Sequence, residues 1–207
     1  MARSGPSGTE GYSDEVDALV QQYESISFTD IHAPIMHLVP HSPARVLDIG
    51  AGTGRDATGF AALGHSVTAV EPTAELLTRA IELHASPRIE WLDDSLPELS
   101  LLFGRCETFD VVMLTAVWMH LDEQQRQRAM PRVAALVRPG GAMMILLRHG
   151  PVPKGRRMFN VTAAETIELA QAQAMTCVQH LEVGDGLLKR RGVTWDRLAF
   201  RKDDHPG

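Results

Sequence analysis

Long apolar runs, cysteines and metal-binding motifs are scarce or missing in this chain of 207 residues. No run reaches the roughly 18 consecutive apolar residues that a membrane-spanning helix needs, so no membrane association is expected. The first residues, MARSGPSGTEGYS, contain no apolar segment and do not resemble a secretory signal. The cysteines are Cys106 and Cys177, without a CxxC pair. This fits reduced thiols and predicts a cytoplasmic location, although a single bridge between them stays open.

Metal ligation and a large polyanionic partner also have little support. The chain has no HExxH motif, and Pro40 prevents His37 and His41 from aligning on one helix face, so no metal is expected. Acidic residues outnumber basic ones by 26 to 20, and the net charge of −6 argues against nucleic acid as a partner. The 44% hydrophobic and 22% charged residues are typical of a globular domain.

Strand-like and helix-like segments alternate through the middle of the chain. The strand-like runs are residues 44–49, 65–71, 88–92, 108–114 and 140–146. Strands separated by helices predict a parallel sheet with helices on both faces. The pattern then changes to a helix over about residues 162–173 and two strand-like runs, 175–183 and 193–201. These two runs predict an antiparallel hairpin at the edge of the sheet.

The remaining segments predict a single domain with a flexible start. Residues 1–13 are rich in glycine and serine and are expected to be flexible, and residues 14–26 and 31–39 are predicted to form short helices. Asp122 and Gln125 form a capping pair for a helix over 122–136, which Pro131 is expected to kink or shorten. The predicted domain, 14–207, comprises a helical lid or substrate segment (14–43), a core (44–147) and a C-terminal helix with hairpin (148–207).

The strongest chemical signal is the segment VLDIGAGTGRD, residues 46–56, in which a buried strand runs into alternating glycines. Glycine allows a tight turn and lets a ligand approach the main chain. Arg55 stands where a dinucleotide-binding GxGxxG motif needs its third glycine. Asp48 suits a ligand with a cationic amino group. Glu71 ends the next strand and is placed to accept the hydroxyls of a ribose.

These motifs resemble those of the class I S-adenosylmethionine-dependent methyltransferases. VLDIGAGTGRDA resembles their first motif, VTAVEP the second, WLDDSLPEL the third, FDVVMLTAVWMHL the fourth and LVRPGGAMMILL the fifth-strand motif, in family order over about residues 44–147. The resemblance implies a Rossmann-like, doubly wound α/β fold whose seven-stranded sheet is mostly parallel with the last strand antiparallel. It also implies methyl transfer from S-adenosylmethionine, with S-adenosylhomocysteine as the product.

The resemblance assigns a set of residues to the methyl donor. They are Asp48, Gly50, Ala51, Gly52, Gly54, Glu71, Pro72, Asp94, Ser95, Thr115, Ala116 and Tyr23. Asp48 and the glycine turn would hold the methionine end, and Glu71 would hold the ribose. Asp94, with Ser95, would face adenine, and Asp93 is the alternative because the register is open by one residue.

The same resemblance places further residues near the reacting methyl group. Thr115 and Ala116 would lie beside the sulfonium, and Tyr23 would be a lid aromatic. His120 is a candidate base, and the alternative is that it packs the start of the following helix. Trp118 would either wall the acceptor pocket or fill space beneath the lid.

The acceptor itself is expected to be a small molecule. Arg148 and His149 follow the fifth strand, where they are candidates for holding an anionic acceptor. The leading hypothesis is methyl transfer to an oxygen, nitrogen, sulfur or carbon atom of a small molecule. Two alternatives stay open: an RNA (tRNA) methyltransferase using a basic cluster of Lys154, Arg156 and Arg157, and a catalytically silent donor-binding partner. The sequence does not indicate an oligomeric state.

Overall fold

A computed structural model describes residues 6–184 and 191–204 and shows one seven-stranded sheet. The strands are β1 (Arg45–Ile49), β2 (Ser66–Val70), β3 (Ile89–Leu92), β4 (Phe109–Thr115), β5 (Val137–His149), β6 (Met175–Val183) and β7 (Thr194–Lys202). Their order is β3-β2-β1-β4-β5-β7-β6. Strands β1 to β5 pair in parallel, and β7 is antiparallel to both neighbours. The predicted α/β class, the mostly parallel sheet and the edge hairpin are confirmed.

Helices cover the two faces of the sheet. They are α1 (Val16–Glu24), α2 (Phe28–His32), α3 (Arg55–Ala62), α4 (Ala74–Leu83), α5 (Ser100–Phe103), α6 (Glu123–Leu136) and α7 (Ala163–Gln171). Short 3-10 helices occupy Ser13–Glu15, Ala33–Leu38 and Trp118–His120. Among residues 6–184 and 191–204, no helix has both the length and the apolar character needed to cross a bilayer.

The capping pair of α6 forms as predicted, but Pro131 does not shorten the helix. Asp122 Oδ1 accepts from the Gln125 amide and Gln125 Oε1 accepts from the Asp122 amide, both at 2.9 Å. The helix continues past Pro131 to Leu136. Proline in a helix interior removes a hydrogen bond, but the buried face formed by Met130 and Val133 holds this helix against the sheet.

Two apolar clusters form the core, one on each face of the sheet. One face packs Leu47, Val112 and Ile145 under α6 and α7, and the other packs Val46 and Val111 with α3. Because neighbouring residues of a strand point to opposite faces, each central strand contributes to both clusters. The chain crosses from one side of β1 to the other between β3 and β4, so the carboxyl ends of β1 and β4 leave a crevice between them.

The start of the described chain is packed against this crevice, in contrast to the predicted flexibility of residues 1–13. The Thr9 amide donates to the Pro6 carbonyl and the Tyr12 amide donates to Thr9, both at 3.2 Å, forming consecutive turns. The Tyr12 hydroxyl lies 3.0 Å from His120 Nε2, far along the sequence. Flexibility was predicted from the composition of the segment, and composition contains no information about contacts with distant residues. Residues 1–5 lie outside the described part of the chain.

Candidate functional site

A cavity of about 540 Å³ opens at the carboxyl ends of β1, β2, β4 and β5. Most of the predicted donor residues line it: Asp48, Gly50, Ala51, Gly52, Glu71, Pro72, Asp94, Ser95, Thr115, Ala116 and Tyr23. His120 and Arg148 also line it. The structure therefore brings the predicted donor residues together from five separate segments of the sequence.

The turn after β1 exposes its main chain to this cavity. The amides of Gly50 and Ala51 donate to the Val70 carbonyl at 2.8 and 2.9 Å, which fixes the turn against the end of β2. Gly52 has a φ of +59°, and a Cβ at this position would meet only Tyr23 Cδ2, at 4.0 Å. A side chain here would be strained and would occupy the cavity, so glycine keeps both the turn and the space.

Gly54 is the exception among the predicted donor residues, because it does not line the cavity. It precedes α3, and a Cβ at this position would lie 2.6 Å from Trp91 Cη2. The structure corrects the prediction for this residue. A glycine is needed here because the turn packs closely against Trp91.

Glu71 ties the glycine turn to the end of β2. Its Oε2 accepts from the Gly52 amide at 2.9 Å and its Oε1 accepts from the Thr73 amide at 2.8 Å. Burial raises the pKa of this carboxyl, although the two amides partly oppose the shift. Each oxygen of a carboxylate can accept more than one hydrogen bond, so Glu71 keeps capacity for hydroxyls of a ligand.

Asp48 presents a buried oxygen that lacks a partner. Its side chain is 1% exposed, and within the described residues Oδ2 has no hydrogen bond. Burial raises the pKa of Asp48 well above its usual range, and the nearby Asp56 carboxylate adds to this effect. A cation with N–H groups placed in the cavity would satisfy this oxygen and favour the ionised form.

A buried ion-pair network at the start of α3 stabilises the glycine turn. Asp56 Oδ2 lies 2.9 Å from His32 Nε2, and its Oδ1 lies 2.7 Å from Arg55 Nε. These two partners outweigh burial and hold the pKa of Asp56 well below its usual range. The Arg55 guanidinium also donates to the Tyr23 carbonyl at 3.3 Å, which places α1 over the turn.

Asp94 and Ser95 line the cavity, whereas the alternative Asp93 does not. The Asp94 carboxylate accepts from the Ser95 amide at 2.9 Å and from the Leu102 amide at 3.0 Å. The carboxylate therefore shapes the loop after β3. Its remaining acceptor capacity is available to a ligand.

His120 is part of a chain of hydrogen bonds at the mouth of the cavity. Its Nδ1 lies 2.8 Å from the Arg157 carbonyl, and its Nε2 lies 3.0 Å from the Tyr12 hydroxyl. Since a carbonyl only accepts, Nδ1 carries the proton, and the Nε2 lone pair accepts from Tyr12. Burial lowers the pKa of His120, only partly opposed by the bond to Arg157, and burial raises the pKa of Tyr12. The pair is therefore neutral near pH 7.

Sequence reasoning missed Tyr12, although it identified His120 and Tyr23. The Tyr12 and Tyr23 side chains are hydrogen-bonded to each other, and the Arg156 guanidinium lies 3.9 Å from the centre of the Tyr12 ring. Tyr12 is the single aromatic residue of its glycine- and serine-rich segment. An aromatic residue in an otherwise small and polar segment is the signal that could have identified it.

Two of the predicted acceptor residues do not reach the cavity. Trp118 is fully buried in the apolar cluster beneath α6, so it fills the core rather than walling the pocket. His149 Nε2 lies 2.8 Å from Asp196 Oδ2. Arg148, one residue earlier in β5, faces the cavity, so the alternation of the strand turns His149 to the opposite face.

Arg148 and the predicted basic cluster mainly hold local structure. Arg148 donates to the Pro151 carbonyl at 2.9 Å. Arg156 pairs with Glu15 at 2.6 Å, and Arg157 pairs with Asp122 at 3.0 Å. Two of the three cations of the cluster are therefore neutralised within the chain, and Lys154 is exposed.

A group that could hold a metal ion lies away from the cavity. Ligand atoms of His180, Glu182 and Asp196 come within 4.8 Å of one another. Asp196 already accepts from His149 and His180, at 2.8 and 2.7 Å, so its oxygens have partners without an ion. The sequence did not point to this group because its residues come from separate strands.

Comparison with known proteins finds similarity to methyltransferases in both sequence and fold. Residues 46–141 match the family model described as a methyltransferase domain. An uncharacterized methyltransferase of Mycobacterium tuberculosis is 34% identical over 113 residues, 51% of this chain and 40% of the relative. Glycine N-methyltransferase of Rattus norvegicus is 29% identical over 139 residues, 58% of this chain and 47% of the relative. The chain thus spans less than half the length of these curated relatives.

One solved structure agrees over nearly the whole chain. The 1,6-didemethyltoxoflavin-N1-methyltransferase of Burkholderia thailandensis superposes with a TM-score of 0.71 and 25% identity, covering 93% of this chain and 87% of that one. That structure holds 1,6-didemethyltoxoflavin and S-adenosylhomocysteine. Residues 46–141 of this chain are therefore similar to a methyltransferase domain, and the chain shares its fold with a methyltransferase of known structure.

The cavity is lined partly by residues of the matched region and partly by residues outside it. The family match ends at residue 141, so β1 to β4 and the turns after them fall within it. The segments that close the cavity, residues 6–12 and the hairpin of β6 and β7, lie outside it.

Proposed function

We propose that this chain transfers a methyl group from S-adenosylmethionine to an oxygen, nitrogen, sulfur or carbon nucleophile of a small molecule. The observation that carries the proposal is the buried, unpartnered Oδ2 of Asp48, which lies beside a glycine turn open to the cavity. The donor has a cationic amino group that such an oxygen would bind. The match to the methyltransferase family model and the shared fold support the same donor.

The other residues around the cavity fit the rest of the donor. Glu71 has acceptor capacity for the ribose hydroxyls, and Asp94 with Ser95 offers polar atoms for adenine. Thr115 and Ala116 at the end of β4 would lie near the sulfonium, and Tyr23 would cover it. S-adenosylmethionine supplies a methyl group that its sulfonium already activates, and it leaves as the neutral S-adenosylhomocysteine. The protein then has to align the acceptor and remove its proton where it has one.

The enclosure of the cavity supports a small acceptor. Residues 6–12 and Tyr23 line it opposite the sheet, and its volume is about 540 Å³. The basic cluster that would favour RNA is largely consumed by ion pairs with Glu15 and Asp122. An RNA chain needs several unpaired cations along its path. The contacts of this chain therefore favour the small-molecule hypothesis over the RNA alternative.

Donor binding tests the proposal directly. We expect calorimetry to show binding of S-adenosylmethionine and S-adenosylhomocysteine, and Glu71→Ala to weaken both by about 10- to 100-fold, since hydrogen bonds to a charged group contribute about 1.5–3 kcal/mol. Glu75→Ala, which removes an exposed carboxylate on α4, is the matched control and should bind normally. Absence of binding to the unmodified protein, or equal affinities of the two variants, would contradict the proposed donor site.

An acceptor screen separates an enzyme from a silent partner. S-adenosylhomocysteine release should rise with at least one small acceptor. Binding without release for every acceptor would instead favour the catalytically silent alternative. Binding of RNA with a steep dependence on salt would favour the RNA alternative.

The affinity for the donor should depend on pH through Asp48. Because burial raises the pKa of Asp48 in the free protein, part of the population is protonated at mildly acidic pH. A cationic ligand binds the ionised form, so its binding releases a proton, and the affinity should rise as the pH rises through this raised pKa. Calorimetry in buffers of different ionisation enthalpy measures the released proton. Asp48→Asn should remove the pH dependence and weaken binding at neutral pH, and an unchanged pH profile would contradict the assignment.

A further inference from the structure

One arginine at the cavity wall is unlike the others. Four arginines line the cavity: Arg55, Arg148, Arg156 and Arg197. Arg55 pairs with Asp56, Arg156 pairs with Glu15, and Arg148 donates to the Pro151 carbonyl. The side chain of Arg197, on β7, forms no hydrogen bond or ion pair within the described residues, and its Nε is buried. A guanidinium normally finds acceptors when it is taken out of water.

The strand register places Arg197 beside the expected reaction centre. Thr115 of β4 pairs with Leu146 of β5, and Leu146 pairs with Arg197 of β7. Residues paired across neighbouring strands project to the same face of the sheet, so these three side chains form one row. All three line the cavity. Arg197 is thus two strands away from the residue expected beside the sulfonium.

The surroundings of Arg197 are mostly apolar. Trp195, two residues earlier in β7, lies on the same face and pairs with Arg148 and with Val183 of β6. Trp195, Val183 and Leu146 all line the cavity. This part of the wall therefore offers an aromatic and aliphatic surface that carries the cations Arg148 and Arg197.

The charge of Arg197 is only weakly compensated by the protein. Burial lowers its pKa, and Asp56 opposes this shift from a distance. Asp56, however, already pairs with His32 and Arg55, so its charge is shared. A half-buried cation without a direct partner costs folding free energy, which a bound anion would offset.

We propose that Arg197 binds a carboxylate of the acceptor, whose apolar part lies against Trp195 and Leu146. The planar fork of a guanidinium matches the two oxygens of a carboxylate. One negative charge balances the guanidinium of Arg197, because Arg148 in the same row already donates to the Pro151 carbonyl. This inference rests on the proposed function, because it names the substrate class of the same cavity.

Binding of simple probes to the protein loaded with S-adenosylhomocysteine tests the inference. The carboxylates are acetate, benzoate and indole-3-acetate, each compared with its amide by ligand-observed NMR titration, together with phenyl phosphate. We expect at least one carboxylate to bind about tenfold or more tightly than its amide. Arg197→Met should abolish this preference, and Arg197→Lys should retain part of it because the charge remains.

Matched controls make each outcome decisive. Arg191→Met removes an exposed arginine outside the cavity and should leave the preference for carboxylates unchanged. Equal affinities for carboxylates and amides, no binding of any carboxylate, or a preference that survives Arg197→Met would overturn the inference. Tighter binding of phenyl phosphate than of benzoate would overturn the choice of carboxylate. Loss of S-adenosylhomocysteine binding to the unmodified protein would instead contradict the donor site, so the two failures are distinguishable.

A second measurement needs no ligand. If Arg197 is an unpaired cation kept for binding, Arg197→Met should raise the melting temperature of the ligand-free protein by about 2–4 °C. Arg191→Met should leave it unchanged. A fall in melting temperature for Arg197→Met would show that the guanidinium supports the fold, which would overturn its assignment as a ligand-binding group.

Discussion

Replacing Trp118 with alanine should lower the free energy of unfolding by about 3–5 kcal/mol, the cost of removing a large aromatic side chain from a packed core. Trp118 is completely buried among the side chains beneath α6, including Met119, Met130 and Val133. Its removal would leave a cavity that these neighbours can fill only in part. Urea denaturation followed by far-UV circular dichroism measures the loss, provided that the m-value stays constant.

Trp195→Ala is the matched control for this prediction. Trp195 lines the cavity and is only partly buried, so its truncation should cost clearly less stability than Trp118→Ala. It should instead weaken binding of the acceptor. If Trp118→Ala left stability nearly unchanged and impaired the binding of acceptor instead, the wall of the pocket rather than the core would be its correct location.

The contrast between these tryptophans shows what a single sequence can predict here. The sheet, its parallel core and the edge hairpin follow from alternating apolar runs, because a run of buried residues reports a strand whatever its neighbours are. The glycine turn and its two acidic partners follow from local spacing. The direction of an individual side chain near a strand end does not follow from local spacing. Trp118, for example, lies on a 3-10 helix whose orientation depends on the packing of α6.

The register of the sheet explains the other differences between the predicted and the observed positions of site residues. Arg148 and His149 were predicted together, yet the alternation of β5 sends one to the cavity and the other to Asp196. Arg197 was not singled out, although residues 193–201 were predicted to form a strand. Which face of β7 meets the cavity depends on its pairing with β5, and this pairing joins segments about 50 residues apart. Long-range pairing of this kind leaves no local signal.

The order of the N-terminal segment also could not be predicted from local sequence. Residues 6–12 have a composition typical of a flexible segment, and their order comes from contacts with distant residues. Tyr12 contacts His120, and Arg156 stacks on Tyr12 while it pairs with Glu15. One aromatic ring therefore fixes a polar segment across the cavity. Its hydroxyl also contacts Nε2 of His120, the nitrogen that the bond to the Arg157 carbonyl leaves without a proton.

Replacing His120 with alanine should lower kcat by about 100-fold or more, with the donor affinity unchanged, if the imidazole removes the proton of the acceptor. The bond to the Arg157 carbonyl keeps the proton on Nδ1, so Nε2 has a free lone pair as soon as the Tyr12 hydroxyl turns away. Alternatively, the Tyr12 oxygen accepts the proton of the acceptor while its own proton passes to Nε2. The nucleophile forms its bond to the methyl carbon as the carbon–sulfur bond breaks, and the released proton ends on His120 in either route.

Three measurements distinguish this role from packing. Tyr12→Phe keeps the ring under Arg156 but removes the hydroxyl, so it should lower kcat only if the relay operates. Added imidazole should partly restore the rate of His120→Ala. Because burial lowers the pKa of His120, the unmodified enzyme should keep its neutral base below pH 6.5 and lose activity only as the pH falls through this lowered pKa. A lower melting temperature with nearly normal kcat, and no rescue by imidazole, would instead assign His120 to packing between residues 6–12 and the start of α6.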